Sequence, residues 1–251
     1  MKDGPETGLR ARLRAGEAIK LAWFSLGSPA LIEVAAATGL DVVVIDAQHG
    51  LWDRTSIEQA TGVVRGHRPV LVRTGDSLPQ TIGTALDSGA AGVLAPMIET
   101  AADAAALVRA ARFPPHGRRS GGGVRPMLHD FAAYYRMANE TTVVGAMIET
   151  AEGVANAAEI AVTPGLDFVF VGTGDLALSL GGFDGVEAAL ETAIDAVRSA
   201  CVAARLPCGI YCASGEEALS RSEQGYALTV AAADIAVVAK GFAAEHRGAG
   251  R

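Results

Sequence analysis

The amino-acid sequence predicts an α/β protein, a single-domain (β/α)8 TIM barrel across residues 1–251, and three observations carry that expectation. Eight short apolar runs alternate with alanine-rich stretches of helical period, the βαβ signature repeated along the chain. The runs are near-continuous in β-branched residues, as in Val42-Val43-Val44-Ile45, which suits strands buried on both faces in a parallel sheet. After the first run stands Leu26-Gly27-Ser28-Pro29, not the glycine-rich phosphate loop that a doubly wound open sheet would want.

In order along the chain, residues 1–20 are polar and arginine-rich and read as a short helix over about 5–18. The apolar run Leu21–Leu26 is the first strand, and Pro29–Thr38 the first barrel helix. Val42–Ala47 is followed by the helix Thr55–Val64, and Pro69–Arg73 by Leu78–Ser88. Gly92–Pro96 is the fourth strand, with Ala101–Arg112 its alanine-rich helix. The rhythm then breaks at Pro114–Met127, which holds Pro114-Pro115, Arg118-Arg119 and three consecutive glycines. That stretch reads as a loop near the barrel mouth, before a helix at Asp130–Asn139. Val143–Glu149 leads into Thr150–Ala161. Phe168–Gly172 is followed by a small loop at Gly181–Gly185 and the helix Val186–Ala204. Cys208–Tyr211 precedes Gly215–Gln224, and Leu228–Ala231 precedes a last helix over about 232–246.

Bulk properties exclude several functions. Half the residues are hydrophobic and 20% are charged, an ordinary globular balance, and the formal charge of −7 supplies no basic field for nucleic acid. No apolar run is long enough to span a bilayer, and no secretory signal is evident, so no membrane partner is expected. Cys201, Cys208 and Cys212 are odd in number and fit packed free thiols in a reducing cytoplasm better than a disulfide framework; a zinc site at Cys208 and Cys212 lacks further ligands nearby.

Active sites of this fold gather at the C-terminal ends of the strands. Asp46 and His49 close the second strand, Arg73 the third and Glu149 the fifth, while Asp175 lies just past the sixth in Val171-Gly172-Thr173-Gly174-Asp175. Each has a plainer reading. Asp175 could cap a helix beginning at Leu176, Arg73 could form a mouth salt bridge, and His49 beside Gly50 could be a turn residue. Glu149 precedes Thr150, itself the better cap. Together they set an acidic pair, a cation and a titratable base around one opening. Two carboxylates without cysteine or histidine ligands suit a hard cation, Mg²⁺ or Mn²⁺ with Co²⁺ also permitted. A 2-oxo acid can offer such a metal two oxygens, and the metal then favours the enolate. Arg73 would add charge at the keto oxygen, and His49 would move a proton, oriented by Asp46 or Asp87. Of the three lysines, Lys2 lies in the N-terminal tail, Lys20 precedes the first strand and Lys240 lies in the last helix. None ends a strand, so a Schiff base has no nucleophile and no organic cofactor is expected. Trp23, Met147, Gly172, Thr173 and Gly174 are expected to line the substrate pocket with Arg73.

These residues carry a resemblance. Phe24-Ser25-Leu26-Gly27-Ser28-Pro29, Ile45-Asp46-Ala47-Gln48-His49, Val72-Arg73, Leu94-Ala95-Pro96-Met97, Pro114-Pro115-His116-Gly117-Arg118-Arg119, Ile148-Glu149-Thr150 and Gly172-Thr173-Gly174-Asp175-Leu176 stand in family order from about Leu21 to Ala239. The chain resembles the 4-hydroxy-2-oxoheptanedioate aldolase family, class II pyruvate aldolases that include 2-keto-3-deoxy-rhamnonate-type enzymes. The resemblance implies a metal at Glu149 and Asp175, His49 as acid/base, Arg73 on the enolate oxygen, and Asp87 acting with the histidine, across a subunit boundary in the family. It also implies a last helix packed on a neighbouring subunit in a hexamer, a trimer of dimers. The chain departs at Gln48, where the family often has Glu; at Met147, where many have Gln; at Thr173-Gly174, where Pro-Ala is usual; and at Gly50-Leu51-Trp52, where Ala-Pro-Asn is common. The substrates implied are a small 2-oxo acid, pyruvate or hydroxypyruvate, and an aldehyde. Two rival readings stand beside this one: a citryl- or malyl-CoA lyase of the same superfamily, which Arg118, Arg119 and Arg125 keep open, and a non-catalytic barrel used in assembly.

Overall fold

The computed structural model describes residues 8–128 and 130–248. Positions 5–7 of the expected N-terminal helix lie outside them. Eight parallel strands pair in sequence order and close on themselves, β1 against β8: β1 (Ile19–Phe24), β2 (Val42–Asp46), β3 (Val70–Arg73), β4 (Gly92–Ala95), β5 (Val143–Ile148), β6 (Phe168–Val171), β7 (Cys208–Ile210) and β8 (Leu228–Ala233). The predicted barrel is therefore the observed fold.

The continuous apolar strands have the cause expected of them, since neighbouring residues face two cores. Val43, Ile45, Val72, Val93 and Val144 pack outward against the helices. Val44, Leu71, Leu94, Met147, Phe168, Phe170 and Val230 fill the interior. Both layers are sealed from water, as the barrel requires.

Helix α1 (Leu9–Arg14) closes the floor by burying Leu9 and Leu13 in the interior cluster. Arg10 fastens it there through Asp167 at 2.6 Å. The outer ring comprises α2 (Pro29–Ala36), α3 (Arg54–Val63), α4 (Pro79–Asp87), α5 (Ala101–Ala111), α6 (Val124–Met127), α7 (Phe131–Thr141), α8 (Ala151–Ala155), α9 (Ala157–Ala161), α10 (Thr173–Ser179), α11 (Glu187–Ala204), α12 (Gly215–Glu223) and α13 (Asp234–Gly248).

Several boundaries differ from the sequence expectation. Lys20 lies inside β1, not before it, but still at the floor end. The helix expected at 150–161 breaks at Asn156, whose backbone leaves the helical region at φ −98° and ψ 7° and whose side-chain Nδ2 donates to Glu99 O. The stretch after β6 opens directly into α10 with Gly172 as N-cap, so Asp175 sits in a first turn and does not cap a helix at Leu176. The glycine- and arginine-rich stretch before α7, expected as a loop near the mouth, contains α6 and lies on the floor side, where a connection from helix to strand must run and where Arg119 meets Asp87. β8 runs two residues further than expected, and α13 begins at Asp234 instead of near Ala232. Asp234 is the sole buried residue of α13, which leaves Ile235, Val237 and Phe242 exposed. Among the described residues, no helix is long and apolar enough to cross a membrane.

Candidate active site

Asp46 organises one side of the barrel mouth. It ends β2 in register with Arg73 at the end of β3, so the two side chains meet. The pairing is bidentate: Arg73 Nε donates to Oδ1 at 2.9 Å and Nη2 to Oδ2 at 2.7 Å. Trp23 Nε1 donates to Oδ2 at 3.1 Å, and the Arg73 guanidinium lies 5.1 Å from the Trp23 ring centre, so the cation is fixed by both charge and stacking. Burial pushes the Asp46 carboxyl up, but the hydrogen bonds and charge of Arg73, with the N–H of His49 and of Trp23, outweigh it and hold Asp46 below the usual carboxylate range.

The same carboxylate shapes the next turn. Oδ1 accepts from the backbone N–H of Gln48 and of His49, both at 3.1 Å. Asp46 thus holds His49 by its main chain, not by its imidazole as expected from sequence. Gly50 N donates to Asp46 O at 3.0 Å, and a Cβ at Gly50 would stand 2.3 Å from that oxygen, so only glycine fits. His49 is left exposed at the rim.

Glu149 stands on the opposite side of the mouth, immediately after β5 and almost wholly buried. Its Oε1 accepts from Met97 N at 2.8 Å, while Oε2 is buried with no hydrogen-bond partner among the described residues. Burial pushes the carboxyl up to about 7; the Met97 N–H and the charge of Arg73 oppose this, and adjacent Asp175 adds to it. A Cβ at Gly172 would lie 2.6 Å from Oε2, so a glycine keeps open the space in front of that oxygen. An orphaned buried carboxylate oxygen, a second carboxylate beside it and a cleared space fit a hard divalent cation. Among the described residues there is no group of three or more His, Cys, Asp and Glu placed to hold a metal, so the two carboxylates are the donor set on hand.

The mouth is a cavity of about 520 Å³ that brings together Trp23, Asp46, His49, Arg73, Met147, Glu149, Gly172, Thr173, Gly174 and Asp175. Every expected pocket residue except Asp87 lies in this lining. Asp87 is the last residue of α4, near the start of β4 on the floor side, and its Oδ1 accepts from Arg119 Nη2 at 2.9 Å. Within one protomer it does not meet His49. The sequence reading missed Ser25, Tyr211, Glu217 and Asp234, which complete the wall. It also gave no role to Met97, whose φ of 53° is rare for a side-chain-bearing residue and whose N–H steers Glu149.

The three cysteines are free and buried, as packed thiols should be. Of the arginines that kept a CoA substrate open, Arg119 is buried against Asp87 with its guanidinium over the Phe113 ring, and Arg125 donates to Glu58 O. Neither lines the mouth.

A model of the HpcH/HpaI aldolase/citrate lyase family matches residues 20–235. The hydroxypyruvate/pyruvate aldolase of Rhizorhabdus wittichii is 39% identical over 220 residues, covering 86% of this chain and 88% of that protein. The 4-hydroxy-2-oxovalerate aldolase of Rhodococcus jostii is 38% identical over 187 residues, covering 71% and 72%. Among solved structures, an HpcH/HpaI aldolase/citrate lyase family protein from Burkholderia cenocepacia superposes with a TM-score of 0.91 at 32% identity, covering 96% of this chain and 98% of that one.

Proposed function

The chain belongs to the HpcH/HpaI aldolase/citrate lyase family and is a carbon–carbon lyase of the aldolase kind, and from that premise we propose that it cleaves and forms 4-hydroxy-2-oxo acids with a divalent cation held by Glu149 and Asp175. The products of cleavage are pyruvate or hydroxypyruvate and an aldehyde. Mg²⁺ and Mn²⁺ suit the donor set, as does Co²⁺. When bound, such a cation supplies a Lewis acid that lowers the cost of negative charge on a keto oxygen.

The chain's own residues do the rest. In cleavage, the C4 hydroxyl loses its proton and the C3–C4 bond breaks. The aldehyde departs, the electron pair passes into the enolate of the 2-oxo acid, and C3 then takes up a proton. Arg73 has two of its five N–H bonds committed to Asp46, and its remaining donors serve the keto oxygen as that atom gains charge. His49, exposed at the rim, receives the hydroxyl proton directly or through a water. Met147 and Trp23 wall the donor, with Gly172, Thr173 and Gly174 beside it. Asp87 reaches a histidine only across a subunit boundary. A closed homo-oligomer, a hexamer by family likeness, is part of this reading, supported by the exposed apolar residues of α13.

One observation carries the proposal: a bidentate, buried Asp46–Arg73 pair shares a cavity with Glu149, whose Oε2 is left without a partner. The test is exchange of pyruvate methyl protons in deuterated water, which needs the enolate but no aldehyde. Exchange should require added Mg²⁺ or Mn²⁺ and vanish after EDTA treatment. Undiminished exchange in EDTA would sink the metal assignment.

A further inference from the structure

Charge is unevenly spread around the mouth. Its described lining holds five carboxylates, Asp46, Glu149, Asp175, Glu217 and Asp234, against one arginine, Arg73. Asp46 takes up the Arg73 charge, and the proposed cation takes up Glu149 and Asp175. Glu217 and Asp234 remain, both on the wall built from α12 and α13. Asp234 accepts from the backbone N–H of Ser25, Leu26 and Ile235, donors that hold the carboxylate without cancelling its charge. Glu217 Oε2 accepts from Ala213 N at 2.8 Å. Glu217 Oε1 also pairs with Arg221 Nε at 3.6 Å, but that guanidinium gives both Nη atoms to Glu191, so one cation is shared by two carboxylates and the group keeps a net negative charge. The rest of that wall is Tyr211, Ile235 and alanines.

We propose that this wall receives the aldehyde and makes the enzyme select an uncharged acceptor over one carrying a remote carboxylate, an inference that rests on the aldolase reading above. The 2-oxo acid's carboxylate goes to the side that has the cation and Arg73, since no other arginine and no lysine lines the cavity among the described residues. An acceptor with its own carboxylate would set that group against Glu217 and Asp234 with nothing to pair it, and like charges facing one another across a contact are a means of rejection. An uncharged aldehyde with an apolar or hydroxylated tail packs on alanine, Ile235 and the Tyr211 hydroxyl and sets no charge against the two carboxylates. Glu217 and Asp234 are thus specificity residues, with no part in breaking the carbon–carbon bond.

The test pairs pentanal with succinic semialdehyde, matched in length, in aldol addition to pyruvate by the metal-loaded enzyme. Methyl exchange of pyruvate without aldehyde is measured first. Its absence overturns the aldolase reading itself, before any acceptor is compared. With exchange present, kcat/KM should favour pentanal by about tenfold or more, and added salt should shrink the ratio. Glu217→Gln should narrow the preference by roughly threefold to tenfold and Glu217→Lys should narrow it further, with the exchange rate in each variant checking that the site is intact. Equal or better use of succinic semialdehyde by the wild type, or a ratio that Glu217→Lys does not move, overturns the proposal while leaving the aldolase reading in place.

Discussion

Asp46 and Glu149 are both buried at strand ends, and their surroundings push them in opposite directions. Glu149 rises from 4.5 to about 7. In the metal-free protein the folded state therefore keeps a proton that the unfolded chain has lost between those two values. The sign is destabilising: there is no penalty below about pH 4.5, and the full penalty, about 3 kcal/mol, above about pH 7. EDTA-treated wild type should lose Tm from pH 5 to pH 8, Mn²⁺ should restore it at pH 8, and Glu149→Gln should flatten the profile. Identical profiles for wild type and variant would show that Glu149 does not titrate this way. Arg73→Ala should lower turnover by roughly 10²–10³, and Arg73→Lys should also cut turnover more than it raises the pyruvate KM, because the lost attraction grows only as charge develops. Methyl exchange should fall in parallel; exchange at the wild-type rate would move Arg73 to another role. Asp46, Arg73 and Glu149 were legible in the sequence because each interrupts an otherwise apolar run where the fold puts its chemistry. Met97 was not, since a positive φ leaves no mark in Pro96-Met97. Asp234 was hidden because the start of its helix was set two residues early.

Elements, not only residues, place the chemistry. The turn after β2 puts His49 at the rim through two N–H bonds to Asp46 and the bond from Leu51 N to Ser25 O at 2.7 Å. His49→Ala should cost about 10²–10⁴ in turnover with little change in Mn²⁺ affinity. Loss of the metal in that variant would make the histidine a ligand instead. The junction of β6 with α10 works by leaving space: Gly172→Ala would drive a methyl into Glu149 Oε2, so Mn²⁺ affinity should fall about 10–100-fold, read by titration calorimetry with far-UV dichroism unchanged. Wild-type affinity there would remove the space argument. Strand identities were legible because buried parallel strands are written as unbroken apolar runs. The break at Asn156 and the extent of β8 were not, because they depend on partners distant in sequence, Glu99 and Trp23 respectively.

For the whole molecule, the apolar surface that stands out is α13, which carries Phe242 at 76% exposure and Val237 at 56% on a helix with one buried residue. In the homo-oligomer proposed above, a second copy of the chain would cover these residues. Light scattering should find a closed oligomer at micromolar concentration, and Phe242→Ser should shift it toward smaller species. A wild-type monomer would refute this. The barrel itself closes by pairing β1 with β8. A ribosome delivers β1 early and β8 last, so through most of synthesis the sheet has two unpaired edges, the exposed state from which chains misassociate. Glu149 and Asp175 have both been made before β7 emerges, yet Asp234 and the wall it anchors have not. On the cation site proposed for Glu149 and Asp175, the nascent chain makes both carboxylates before it owns a chamber, and the arrival of its final strand decides when there is an enzyme.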